Sequence, residues 1–246
     1  MRKTARAQPN IALIKYWGKR DVARNLPATG SISATLADLY TDMTVEFDST
    51  LESDTLTVNG APGGDMLARI STCLDNVAGA DRPRARIDSA CNFPVAAGLA
   101  SSASAFAATV VAASAALGGD RHANELASLA GRASGSAARS LYGGFAELRN
   151  AGDDIVVETI LPANDWPLRV VIAITESEPK DVSSGEAMEI SRTSSPFYAR
   201  WVDEQEQDLS IVRTALAKRD FKRLGEIAEH NCLKMHSVMW TSRPPT

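Results

Sequence analysis

Three cysteines in 246 residues, Cys73, Cys91 and Cys232, are too far apart and too odd in number for a disulfide framework. No Cys-x-x-Cys pair offers a structural zinc site, and such thiol poverty fits a cytoplasmic protein. Positive charge is scarce as well: 26 Lys and Arg stand against 30 Asp and Glu, so the basic field that nucleic acid demands is missing. The three histidines, His122, His230 and His236, are scattered without His-Glu-x-x-His spacing, which leaves them structural or solvated roles. A Walker A loop is excluded because the Gly18-Lys19 pair has Leu13 where that loop needs glycine, and no Gly-x-Gly-x-x-Gly occurs. An export signal is lacking too: Met1-Arg2-Lys3 begins as an n-region would, but Gln8, Pro9, Asn10 and Lys15 interrupt any apolar run that could follow. Residues 89–119 carry no charge and are long enough to cross a bilayer. Ala, Ser and Gly dominate them, so insertion gains little and a helix packed inside a globular core is expected. Neither a membrane nor nucleic acid enters as a partner.

What is present suits a sizeable core, with 44% hydrophobic residues. Short runs bounded by Gly, Pro, Asp or Asn predict strands over 11–16, 31–36, 43–47, 55–58 and 84–88. Helices are predicted over 65–78, 101–117 and 120–133, the second rich in small side chains that permit close approach of its neighbours. The apolar runs 155–161 and 168–174 predict two strands of a second sheet. Helical spacing of Trp201, Leu209, Val212 and Leu216, and of Phe221, Leu224, Ile227 and Ala228, predicts amphipathic helices over 198–218 and 221–237. This order argues for an α+β fold rather than alternating βαβ units. Pro162, Asn164 and Pro167 mark a division into residues 1–165 and 166–246.

Three segments carry chemistry. In the first, Pro94 and Gly98-Leu99-Ala100-Ser101-Ser102 run into an Ala-rich helix, which suits phosphate. Glycine lets the backbone turn, the first free N–H groups point outward, and the helix dipole adds positive potential there. An ordinary serine N-cap would look the same. In the second, an apolar strand from Asn10 ends in Lys15-Tyr16-Trp17-Gly18-Lys19-Arg20, and strand alternation would send Lys15 and Trp17 to one face and Tyr16 to the other. Such cations and aromatics suit an anionic substrate, although a solvated strand end reads alike. In the third, Ser134-Gly135-Ser136-Ala137-Ala138-Arg139 offers hydroxyl donors and one planar fork for phosphate or carboxylate before the Gly143-Gly144 pair. The alternative is a surface turn.

Together with Asn25-Leu26-Pro27 and Ser31, these segments resemble, in order and over essentially the whole chain, the diphosphomevalonate decarboxylase family. That family belongs to the galactokinase, homoserine kinase, mevalonate kinase and phosphomevalonate kinase superfamily. The resemblance implies a ribosomal-protein-S5-like N-terminal domain and a ferredoxin-like C-terminal part, truncated in this sequence, with ATP held between them. It also implies Mg2+, a homodimer and a small phosphorylated mevalonate as substrate. The family's reaction phosphorylates the tertiary hydroxyl of (R)-5-diphosphomevalonate, then loses that phosphate and carbon dioxide to give isopentenyl diphosphate. By position, Tyr16 and Lys19 are implied to bind the phosphorylated end, and Arg139, Ser134 and Ser136 to clamp the carboxylate side. Arg139 and Asn10 carry the implied catalytic roles, and Gly98, Leu99, Ala100, Ser101, Ser102 and Ser104 the ATP. Ser183 and Ser184 are further candidates to face the ligand. The family's catalytic aspartate stands in a late Asp-Ala-Gly-Pro-like loop that this sequence does not reach, and Asp181, Asp203 and Asp208 do not match it. A shortened chain with negligible turnover of its own is therefore expected. Two other readings stay open: a relative acting on phosphomevalonate or mevalonate itself, and a non-catalytic ligand-binding remnant.

Overall fold

The computed structural model describes residues 1–94, 101–173 and 182–246. In chain order the elements are β1 (Arg2–Ala7), β2 (Asn10–Ile14), β3 (Lys19–Asp21), β4 (Leu26–Pro27), β5 (Ser31–Thr35), β6 (Thr41–Phe47), β7 (Thr55–Val58), β8 (Ala61–Pro62), α1 (Met66–Ala78), β9 (Ala85–Cys91), α2 (Ser101–Ala116), α3 (Ala123–Ala133), β10 (Phe145–Ala151), β11 (Asp154–Leu161), α4 (Ser184–Ser194), α5 (Tyr198–Lys218) and α6 (Phe221–Trp240). Short 3-10 turns lie at Ala137–Leu141 and Ala163–Asp165. Packing divides the chain into two discontinuous units, Met1–Asn10 with Thr35–Leu141, and Ile11–Ala34 with Tyr142–Thr246.

In the first unit the strands follow the order β1-β6-β9-β7-β8, antiparallel except for the parallel pair β7 and β9. Alternation decides which face is buried: Met43 and Val45 of β6 and Ala85 and Ile87 of β9 turn into the core, while Arg86 and Asp88 stay outside. Ile70, Leu74 and Val77 of α1, Phe106 and Val110 of α2 and Leu129 of α3 close that core. Each such side chain, fully buried, contributes about 1.5–3 kcal/mol. The uncharged helix α2 is buried on nearly every side, as its alanines allow, and it packs against β1, β6, α1 and α3. The charged start of the chain, unassigned by the sequence patterns, is the sheet's edge strand β1. Arg6 donates to both Asp42 oxygens at 2.7 Å and stacks 3.6 Å over the Tyr40 ring. Cations on an edge strand also discourage pairing with another chain.

The second unit holds the sheet β11-β10-β5-β2 and the small β3-β4 ladder. Ile14, Ile32, Phe145 and Leu161 on the sheet meet Leu209, Val212, Leu216, Leu224 and Ile227 on α5 and α6. Ser183 caps α4 by accepting from the Glu186 N–H, and Asp220 caps α6 by accepting from the Arg223 N–H. Two expectations need correction. The run 168–174 is not a strand over its described residues: 168–173 have no regular structure, and Val171 is 94% exposed. Apolar character alone does not make a strand, which needs a partner for its backbone groups, and none among the described residues pairs with it. Phe221, expected on the buried face, is the first residue of α6 and lies exposed. Among the described residues, no helix is long and apolar enough to cross a membrane.

Candidate functional site

In the first unit the third motif forms a tight knot around Asn10. Ser134 ends α3, and the chain turns back through the 3-10 segment so that Ser136 and Ser140 both face Asn10. The Asn10 amide donates to the Ser136 carbonyl at 3.0 Å and to Ser140 Oγ at 2.8 Å. Its Nδ2 being used twice, Oδ1 is turned toward Arg139, whose Nη2 lies 3.4 Å away. Arg139 is therefore no surface turn residue: only 2% of it is exposed. A guanidinium so deeply buried is stable only among acceptors. Ser134 Oγ and Ser136 Oγ lie 3.3 Å apart, two small hydroxyls beside the same turn.

The described part of α2 opens with the half-buried Ser101 and Ser102, at the end where the helix dipole is positive. Ser104 is wholly buried and is engaged within the protein, 2.8 Å from Thr41 Oγ1 and 3.1 Å from the Ser101 carbonyl, so it braces that turn. Gly98, Leu99 and Ala100, like Asp181, lie outside the described residues. Asn92, ahead of the loop, accepts from the Tyr40 N–H at 2.7 Å and donates to the Asp38 carbonyl at 2.9 Å. No sequence pattern singles out this asparagine; it ties the end of β9 to the chain ahead of β6.

In the second unit, β2 ends at Ile14, so strand alternation does not govern residues 15–17. Tyr16 and Trp17 both enter one cluster with Met188, Trp201, Met235 and Val238, instead of pointing to opposite faces. The Trp17 indole donates to Ser191 Oγ at 3.0 Å, and Ser191 in turn meets Ser242 at 2.9 Å. The expected cationic group disperses: Lys15 Nζ lies 5.9 Å from the Trp17 ring, and Arg20 donates to the Asp154 carbonyl at 3.1 Å. Lys19 instead faces the first turn of α4, its Nζ 3.5 Å from where a side chain on Gly185 would begin. Glu189 on that helix is held below its usual carboxylate range, chiefly by its bonds to Arg192 and to a lesser degree by the charge of Lys19. Ser183 spends its oxygen on capping α4. Asp208 is buried against Lys234 at 2.7 Å, and Asp203 is exposed. Among the described residues no group of three or more His, Cys, Asp or Glu gathers to hold a metal.

Gly18 sets the turn between Trp17 and Lys19. Its φ of +118° is one that side-chain-bearing residues rarely adopt, and a Cβ there would run into the Tyr198 ring. Gly18→Ala is expected to destabilise the protein by about 1–3 kcal/mol through backbone strain and displacement of that ring. The urea midpoint is the readout, and an unchanged midpoint would contradict the account.

Comparison with known proteins adds independent findings. Residues 7–157 match the family model for the diphosphomevalonate decarboxylase-like N-terminal domain, and residues 170–246 match that for the mevalonate 5-diphosphate decarboxylase C-terminal domain. Diphosphomevalonate decarboxylase mvd1 of Aspergillus fumigatus is 37% identical over 268 aligned residues, covering 99% of this chain and 66% of its own length. The crystal structure of mevalonate diphosphate decarboxylase from Staphylococcus aureus superposes with a TM-score of 0.89 at 39% identity, covering 100% of this chain and 77% of its own. A complex of a protein designated MDDEF with MVAPP, AMPPCP and magnesium gives a TM-score of 0.91 at 38% identity, with the same coverage of 100% and 77%. The chain thus spans about two thirds of the length of curated relatives such as the Aspergillus protein.

Proposed function

Because the chain belongs to the diphosphomevalonate decarboxylase family, we propose that it serves the ATP-dependent decarboxylation of (R)-5-diphosphomevalonate to isopentenyl diphosphate in the mevalonate pathway. The observation that carries this reading is the buried Arg139, oriented by Asn10 and flanked by Ser134 and Ser136. Arg139 and the two serines hold the carboxylate side of the substrate, while Asn10 keeps the guanidinium plane from rotating. Tyr16 and Lys19 take the phosphorylated end. A tertiary hydroxyl is a poor leaving group, and the phosphoryl group of ATP makes it a good one. What the protein supplies is placement and fixed charge, so that loss of phosphate and carbon dioxide proceeds from one bound geometry.

The Ser101 end of α2 fits a nucleotide's phosphates: the positive end of the helix dipole and two serine hydroxyls coincide there. For magnesium the described residues provide no cluster of protein ligands, so no step is assigned to the ion. We extend the proposal to a cytoplasmic homodimer and to a functional division of the chain at residues 165 and 166, which the family-model boundaries at 157 and 170 support.

The test uses a form of the protein that includes the family's late aspartate loop, offers it mevalonate, its 5-phosphate and its 5-diphosphate separately with ATP, and follows phosphate, carbon dioxide and isopentenyl diphosphate. The diphosphate alone is expected to yield all three. One observation gives the monophosphate competitor weight: with Lys15 over Trp17 and Arg20 on the Asp154 carbonyl, Lys19 is the cation of this segment that faces α4. Turnover of the 5-phosphate alone would transfer the assignment to phosphomevalonate decarboxylation.

A further inference from the structure

Immediately after β2 ends, the backbone of Lys15 is met by two side chains. Its N–H donates to Asn231 Oδ1 at 3.3 Å, and its carbonyl accepts from Gln205 Nε2 at 3.0 Å. Asn231 Nδ2 donates in turn to Gln205 Oε1 at 2.8 Å and to Asp208 Oδ2 at 2.7 Å. Two primary amides thus hold one residue on both of its backbone groups, as a neighbouring strand would. Asn231 and Gln205 are each 1% exposed, so a lost bond could not be replaced by bulk water.

The orientation of this ring is fixed. Asp208 pairs with Lys234 at 2.7 Å, and a carboxylate only accepts. Asn231 must therefore turn its nitrogen toward Asp208 and its oxygen toward the Lys15 N–H. That nitrogen's second hydrogen selects the Gln205 oxygen, which turns the Gln205 nitrogen to the Lys15 carbonyl. Two residues further on, the Trp17 indole is pinned by Ser191. Tyr16 lies between these two anchors, and Lys19 follows across the Gly18 turn.

We propose that Asn231 and Gln205 are positioning residues that set the register of residues 15–19 so that Tyr16 and Lys19 meet the phosphorylated end of the substrate. The part concerning the substrate rests on the function proposed above. The register itself does not.

The test uses the full chain with Gln205→Met, which keeps length and apolar volume but removes both bonds, and Asn231→Leu as a second variant. Val212→Ala, in the core on the same helix as Gln205, serves as a control for plain loss of stability. Hydrogen exchange of a peptide spanning residues 11–19 is expected to quicken in Gln205→Met while peptides from β10 and β11 exchange as before. Calorimetric affinity for mevalonate 5-diphosphate is expected to fall by about tenfold to a hundredfold, since small misplacement of binding groups has effects of that size. Affinity for a non-hydrolysable ATP analogue should be unchanged. Val212→Ala should lower the melting temperature and leave both affinities alone. Unchanged exchange over residues 11–19 would overturn the positioning role. An equal fall in affinity for both ligands, or the same fall in Val212→Ala, would reduce it to general stability. A wild-type chain that binds no mevalonate 5-diphosphate while the variant's local exchange still quickens would overturn the substrate assignment and leave the register intact.

Discussion

In a form of the protein that includes the family's late aspartate loop, Arg139→Ala is expected to remove nearly all decarboxylation while leaving nucleotide affinity close to that of the same form with Arg139. Arg139 is 2% exposed and its fork is aligned by Asn10 Oδ1, which is itself held in place by the Asn10 amide's bonds to Ser136 and Ser140. Losing one partner of a buried charged pair costs about 3–5 kcal/mol, because the remaining charge is stranded without water. Here the stranded group would be the substrate carboxylate, so kcat/KM should fall by about three orders of magnitude. Arg139→Lys should recover only part of that loss, since a lysine keeps the charge without the planar fork. Melting curves recorded alongside would separate lost stability from lost chemistry. Near-normal kinetics from a folded Arg139→Ala protein would assign the guanidinium to the packing of the 3-10 turn alone.

The sequence carried this arginine only as one end of a choice between ligand clamp and surface turn, and burial resolves the choice against the turn. Where an element's burial has a simple period, the sequence was sufficient. The residues predicted to be buried in α5, namely Trp201, Leu209, Val212 and Leu216, are all buried, and β6 and β9 alternate as half-covered strands do. Elements held by pairing rather than by hydrophobic period escaped: half the residues of β1 are charged, and the last three of β10, Arg149, Asn150 and Ala151, are exposed. The reverse error occurred at 168–174, where apolar residues suggested a strand without the partner that makes one. Division of the chain by its prolines yields contiguous pieces, whereas packing interleaves them. Residues 11–34 join the later unit because β5 pairs with β10, more than a hundred positions along the chain. The amides around Lys15 were hidden for the same reason. Asn231 and Gln205 stand in ordinary amphipathic helices, and nothing local distinguishes them from solvated polar residues.

The largest expected effect on stability lies in the first unit, at Asp54. Arg82 donates to its two oxygens at 2.9 and 2.6 Å, and one of these oxygens also accepts from the Ala85 N–H at 2.8 Å. Both side chains are almost fully enclosed, 1% exposed for Arg82 and 6% for Asp54. Asp75 adds charge, 2.9 Å from Arg82 Nε, but the two atoms are not aligned for a hydrogen bond. Asp54→Ala would strand the buried guanidinium and is expected to destabilise the protein by about 3–5 kcal/mol, read from urea unfolding near neutral pH. Replacing both partners, Asp54→Leu with Arg82→Met, should cost less than Asp54→Ala alone, because no unpaired charge remains. Acid supplies a separate check. Burial by itself would raise the Asp54 pKa, but bonds from Arg82, Ser71 and Ala85 outweigh it and hold the carboxyl at about 2, against 3.8 for an unperturbed group. Between those two values the unfolded chain takes up a proton that the folded protein refuses, so acid favours unfolding. The contribution, about 2 kcal/mol, is fully present above the unfolded value and disappears as pH falls through the folded one. The stability gap between wild type and Asp54→Ala should therefore narrow steadily on acidification from about pH 4 to about pH 2. A gap that stayed constant over that window would mean that Asp54 contributes shape alone, and that its charge adds nothing to the fold.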